Sequence, residues 1–106
     1  MKDKLRQMSE VFKALGDPTR LRIIEILSSN MKKNLCVAGL AKKLGITQPA
    51  VSQHIKVLKN VGILEPNRVG FRVHYNINEE VLKTYKADIN GLFNMAFKKY
   101  PKHNAR

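Results

Sequence analysis

Leu5, Met8, Val11, Phe12 and Leu15 recur at three- and four-residue intervals, which is the pattern of a helix burying one face. A first helix is therefore predicted over about residues 4–15, with Gly16 able to end it in the left-handed conformation. Asp17-Pro18 reads as an N-cap followed by proline at the first helical position, where its missing N–H costs nothing. Leu21, Ile24 and Leu27 carry this second helix to about Ser28. The polar stretch from Ser28 to Asn34 reads as a loop, and Leu35-Cys36-Val37 as either an edge strand or a lead-in. Leu40, Ala41 and Leu44 place a short third helix that ends at Gly45, although no good capping side chain precedes it. Gly45-Ile46-Thr47 forms a turn in which the Thr47 hydroxyl can accept from the first free amides of a fourth helix, starting at about Gln48. Val51, Ile55, Leu58 and Val61 form that helix's apolar stripe, and Gly62 stops it.

Beyond Gly62 the period changes from 3.6 to 2. Phe71, Val73, Tyr75 and Ile77 alternate with Arg72, His74 and Asn76, which predicts a two-stranded hairpin with its tip near Val69-Gly70. Asn78 caps a final helix whose Glu79 and Glu80 suit its positive end. Its stripe runs Leu82, Tyr85, Ile89, Leu92, Phe93, Ala96, Phe97 and Tyr100, and Pro101 ends it, leaving residues 101–106 as a disordered tail. The predicted fold is mainly α with a small β-hairpin: a winged helix-turn-helix of five helices plus a wing. A length of 106 residues with 43% hydrophobic content suits one core, so residues 1–106 are expected to form a single domain.

Charge narrows the class of partner. A formal net charge of +12 attracts polyanions, and no acidic residue lies between Glu25 and Glu65, whereas Lys32, Lys33, Lys42, Lys43, Lys56 and Lys59 all do. Double-stranded DNA is the expected partner. No apolar run approaches the roughly 18 residues that cross a bilayer, and Met1-Lys2-Asp3-Lys4 opens no apolar signal core. A single cysteine, Cys36, forms no intramolecular disulfide and has no second thiol for a CxxC pair. A cytoplasmic protein without a membrane partner is expected.

Two short helices joined by a glycine turn, with a hairpin after them, present the second helix to the DNA major groove and a wing beside it. On that helix a rotation of about 100° per residue puts Val51, Ile55 and Leu58 inward and Pro49, Ser52, Gln53, Lys56 and Asn60 outward. Gln53 can pair with adenine N6 and N7, and Ser52 can donate or accept. Thr47 and Gln48 stand where exposed amides meet phosphate, and Lys56 and Lys59 suit phosphate contact. Arg68 and Arg72 flank the wing tip, within reach of phosphate or the minor groove. His54, beside the inward stripe, reads as a half-buried, hydrogen-bonded histidine.

Three stretches resemble the ArsR/SmtB family of winged-helix repressors: Ala14-Leu15-Gly16-Asp17-Pro18-Thr19-Arg20-Leu21-Arg22-Ile23-Ile24, Leu40-Ala41-Lys42-Lys43-Leu44-Gly45-Ile46-Thr47-Gln48-Pro49-Ala50-Val51-Ser52-Gln53-His54-Ile55, and Val61-Gly62-Ile63-Leu64. The resemblance runs from about residue 8 to 78. It implies a homodimer through the first and last helices, for which Leu5, Met8, Phe12, Ile89, Leu92, Phe93 and Phe97 are the expected interface residues. It also implies operator binding near a promoter, usually as a repressor, on a near-palindromic site.

Many members of that family are released from DNA by metal, through a stretch that usually reads Cys-Val-Cys-Asp. Here the matching residues are Cys36-Val37-Ala38-Gly39, and the final helix offers Asp88 with only the distant His103, so no metal and no cofactor is expected. Cys36 then reads as a small buried residue, with a thiol sensor as the functional alternative. No catalytic triad, phosphate loop or carboxylate pair suggests an enzyme. A module that binds protein or RNA through the same basic surface is the other reading.

Overall fold

The computed structural model describes residues 2–29 and 35–99, with the backbone alone at positions 2 and 99. The elements run α1 (Lys2–Leu15), α2 (Pro18–Ser29), β1 (Leu35–Cys36), α3 (Val37–Leu44), α4 (Gln48–Asn60), β2 (Leu64–Val69), β3 (Arg72–Ile77) and α5 (Glu79–Lys99). Most of the predicted loop after α2, Lys32 and Lys33 within it, and the predicted Tyr100, Pro101 and tail lie outside the described residues. Among the described residues, no helix is long and apolar enough to cross a membrane.

The element boundaries follow local chemistry. Thr47 stays extended, and its hydroxyl accepts from the Ala50 amide at 3.3 Å, so α4 starts where an orphan N–H finds a partner. Asn78 does the same for α5 through the Val81 amide at 3.2 Å. Gly45 ends α3 at φ +70°, a conformation with a steric cost for any side chain, and its amide closes on the Ala41 carbonyl at 2.8 Å. Gly16 differs from expectation. It is not left-handed; α1 stops with the Gly16 amide on the Lys13 carbonyl, and a Cβ at Gly16 would stand 3.1 Å from the Phe12 carbonyl oxygen.

The predicted hairpin is one strand short of the sheet that forms. The edge-strand reading of Leu35-Cys36 holds: β1 pairs antiparallel with β3, giving the order β1-β3-β2 with Leu35 opposite Tyr75 and Cys36 opposite His74. Val37 turns instead into the first residue of α3. Strands β2 and β3 pair from Leu64 opposite Ile77 to Val69 opposite Arg72, so the turn is Gly70-Phe71, one residue later than predicted. Gly70 takes φ +63° and Phe71 keeps a negative φ, the backbone of a two-residue turn with glycine at its first central position. Phe71 therefore leaves the alternating face that its sequence position suggested.

Ile23, Leu40, Val51, Leu58, Ile63 and Leu64 are sealed at the centre, drawn from α2, α3, α4 and the entrance to the wing. Burying each such side chain is worth roughly 1.5–3 kcal/mol, and together they lock α4 against α3 and the sheet. Tyr85 of α5 joins this cluster, and its hydroxyl donates to the Val61 carbonyl at the end of α4. The inner face of α4 is thus fixed, which decides what its outer face presents.

Candidate nucleic-acid interface

With Val51, Ile55 and Leu58 buried, α4 exposes Gln48, Pro49, Ser52, Gln53, Lys56, Lys59 and Asn60, and Thr47 is exposed at its start. The structure thus brings Thr47, Gln48, Pro49, Ser52, Gln53 and Lys56 to the free side of one rigid helix, with Lys59 one turn further along. The amides at its N-terminus carry partial positive charge, a site where a phosphate is stabilised. No acidic residue occurs in α3 or α4, and Lys42 and Lys43 lie exposed on α3 beside it.

On the wing, Arg68 faces Val73 and Arg72 faces Val69 across the ladder. Directly opposed residues share a face and successive residues alternate, so the two exposed arginines stand on opposite faces of the ribbon, one on each side of the tip.

A polar node behind α4 holds it in place, and the sequence reading did not single it out. Arg20 Nε donates to the Ala14 carbonyl at 2.6 Å and its Nη2 to the Lys13 carbonyl at 3.2 Å, closing the end of α1. Its Nη1 stands 3.2 Å from Nδ1 of His54 on α4, whose ring is also 4.0 Å from Asp17 Oδ1. The half-buried, hydrogen-bonded reading of His54 therefore fits. The Arg20 amide donates to Asp17 Oδ1 at 3.1 Å, and this bond first, then the nearby His54 ring, holds the Asp17 carboxyl below its ordinary value. The clue in the sequence was Arg20 three residues after an N-capping aspartate, but its partners come from two other helices.

Cys36 occupies the N-cap position of α3, half-buried, without a side-chain bond that closes the cap. The amides of Gly39 foremost, then of Ala38, together with the charge of Arg72, still hold its thiol below the ordinary value. At the stretch where the resemblance sets the family's metal ligands, Ala38 and Gly39 offer no side-chain donor, and on α5 Asp88 stands 3.4 Å from Lys4 Nζ. Among the described residues, no three His, Cys, Asp or Glu side chains come together as a metal site.

The apolar stripes of α1 and α5 divide. Met8 is only 6% exposed and meets Val11, Tyr85 and the half-buried Ile89 where the two helices pack within the chain. These two expected interface residues thus also pack within one copy, because periodicity shows that a face is buried but not by what. Leu5, Phe12 and Leu92, with Met8 at the floor, line an open apolar groove, and Phe93 and Phe97 stand exposed further along α5.

Residues 17–65 match the family described as bacterial regulatory protein, arsR family. An uncharacterised HTH-type transcriptional regulator of Methanocaldococcus jannaschii is 34% identical over 79% of this chain and 93% of its own length. The transcriptional repressor SdpR of Bacillus subtilis is 32% identical over 72% of this chain and 81% of its own. A homodimeric winged helix-turn-helix DNA-binding domain from Mycobacterium bovis superposes with a TM-score of 0.67 at 27% identity, covering 93% of this chain and 85% of that one. The capped helix with its polar outer face, the wing beside it and these likenesses agree: the chain belongs to the arsR family of winged helix-turn-helix proteins, DNA-binding transcriptional regulators rather than enzymes.

Proposed function

We propose that two copies of this chain bind a near-palindromic DNA operator and repress transcription from the promoter beside it. The observation that carries the reading is the outer face of α4, where Ser52, Gln53 and Lys56 lie exposed between a capped, anion-attracting helix start and an arginine-bearing wing. Gln53 and Ser52 read base edges in the major groove. Thr47, Gln48, Lys56 and Lys59 hold phosphates, Pro49 packs against the backbone of the DNA, and Arg68 and Arg72 engage the adjacent minor groove. Residues 1–106 act as one DNA-binding and dimerisation domain, in the cytoplasm, where its DNA is found. The exposed Leu5, Phe12, Leu92, Phe93 and Phe97 support a two-fold contact between copies, and the Mycobacterium bovis domain is described as homodimeric. Repression is supported by the name of the Bacillus subtilis relative.

The experiment is a selection of bound duplexes from a random pool, followed by binding over a range of salt concentrations. The expected result is a near-palindromic motif whose half-sites lie about 34 Å apart, one helical turn, and whose affinity over random duplex falls steeply with salt. Recovery of no motif, or equal binding to RNA of matched length, would overturn the reading. Loss of reporter transcription when the chain and its selected site are placed together separates repression from activation.

A further inference from the structure

The wing tip carries a side chain that neither the core nor the turn explains. Phe71 is 104% exposed relative to an extended reference, more than any other large apolar residue described, and Val69 beside it is half exposed. The two-residue turn demands glycine at position 70, where φ is +63°, but it places no such demand on position 71, and among the described residues nothing packs on the ring. A phenylalanine held in water at the end of a hairpin is a cost to solubility that a polar residue would avoid.

Its neighbours indicate what it meets. Arg68 and Arg72 stand on opposite faces of the ribbon just behind the tip, so a basic residue follows the aromatic ring on each face, Arg72 on the side of Cys36. A groove with a phosphate strand on each side and stacked apolar base faces at its floor is complementary to that arrangement. The minor groove, about 6 Å wide, admits an apolar side chain between base steps when flanking cations neutralise the converging phosphates. A lipid surface would call for a broad apolar face with cations around it, whereas here one ring projects from a narrow two-stranded ribbon.

We propose that Phe71 enters the minor groove next to the site read by α4 and wedges against a base step, so that the wing selects for DNA that unstacks and bends easily there. This rests on the DNA-binding reading above. Pyrimidine–purine steps such as TA open at least cost, and they become the preferred sequence at a position that no polar side chain of the protein contacts. Arg68 and Arg72 supply the salt-dependent part of the wing's binding, and Phe71 supplies a salt-independent part.

The test uses the full chain, the duplex recovered by selection, and the same duplex with its flanking TA or CA step replaced by GC. Phe71→Ala is expected to lose about tenfold in affinity for the selected duplex, with the salt slope unchanged and the preference for the flexible step abolished. Arg68→Ala should instead lower the slope. The chain contains no tryptophan, so Phe71→Trp places a single indole at the tip. Its emission should be quenched on adding duplex, and 2-aminopurine at the flexible step should brighten as it unstacks. Wild-type affinity and step preference in Phe71→Ala, or an indole quenched by anionic vesicles but untouched by duplex, would overturn the wedge. If the unsubstituted chain bound no duplex at all, the DNA reading itself would fall and the wedge with it, whereas specific binding that is indifferent to residue 71 removes the wedge alone.

Discussion

Arg20 in α2 and His54 in α4 meet at 3.2 Å between Nη1 and Nδ1, and this contact joins the end of α1 to the back of the DNA-facing helix. A guanidinium only donates, so Nδ1 is the acceptor in this contact. The same guanidinium closes the Ala14 carbonyl, which α1 leaves without a helical partner, and shares the Lys13 carbonyl with the Gly16 amide. Arg20→Ala is expected to cost about 1.5–3 kcal/mol in urea unfolding, because it removes the donor to the Ala14 carbonyl and to the His54 imidazole at once. Arg20→Lys should recover only a minor part, since an ammonium cannot span three acceptors in a plane. A Lys variant as stable as wild type would show that charge alone suffices there.

Asp17 gives a pH dependence of definite sign. Its carboxyl titrates below the ordinary value of 3.8 in the folded chain, chiefly because it accepts the Arg20 amide. A carboxylate with a depressed folded value stabilises above its unfolded value, and the contribution is lost as pH falls from about 4 through the folded value. Asp17→Asn keeps a good N-cap but cannot titrate. The difference in stability between wild type and Asp17→Asn should therefore be constant at neutral pH and shrink below about pH 4. A difference that grows on acidification would contradict the assignment.

On the DNA face, Gln53→Ala should cost about 1–3 kcal/mol at the selected site and relax its base preference, while leaving random duplex nearly unaffected. Lys56→Ala should weaken every duplex alike and reduce the salt slope by about one unit. Binding measured on selected and scrambled duplexes across salt checks both. Equal losses on the two duplexes for Gln53→Ala would remove its base-reading role.

Between copies, Phe93→Asp should weaken dimerisation by about 100-fold or more, since a carboxylate would be desolvated in an apolar contact. Phe93 is half exposed, so the fold of each copy should survive. Sedimentation equilibrium and circular dichroism together read the two effects, and an unchanged mass would place the dimer contact elsewhere.

Metal should leave the DNA complex intact. Zinc, cadmium or arsenite added under reducing conditions is expected to change the affinity for the selected duplex by less than about twofold, since the stretch from Cys36 to Gly39 holds one thiol and closed structural sites take about four ligands. Release of DNA at submicromolar metal in wild type, absent in Cys36→Ser, would reveal a site that this stretch does not suggest.

Local chemistry in the chain determined much of this protein by itself. The 3.6-residue stripes placed five helices, Thr47 and Asn78 marked two helix starts, Gly45 marked the turn between α3 and α4, and the inward run Val51, Ile55, Leu58 assigned the outward face of α4. Those features depend on groups within one or two turns of each other, so a short window contains them. Contacts between distant segments lay beyond that window. Leu35-Cys36 became a third strand only because β3 lay alongside to pair with it, and the one-residue change at the wing tip, set by the ladder ending at Val69 and Arg72, moved Phe71 from a packed face into solvent. Met8 and Ile89 carried the same periodic signal as Phe12 and Phe93, yet α1 packing on α5 covers much of the first pair within the copy and leaves the second pair exposed. Arg20 looked like one more surface cation among twenty basic residues until three helices converged on it, because hydrogen-bond partners 34 residues apart are chosen by the packing of the helices and not by the sequence between them.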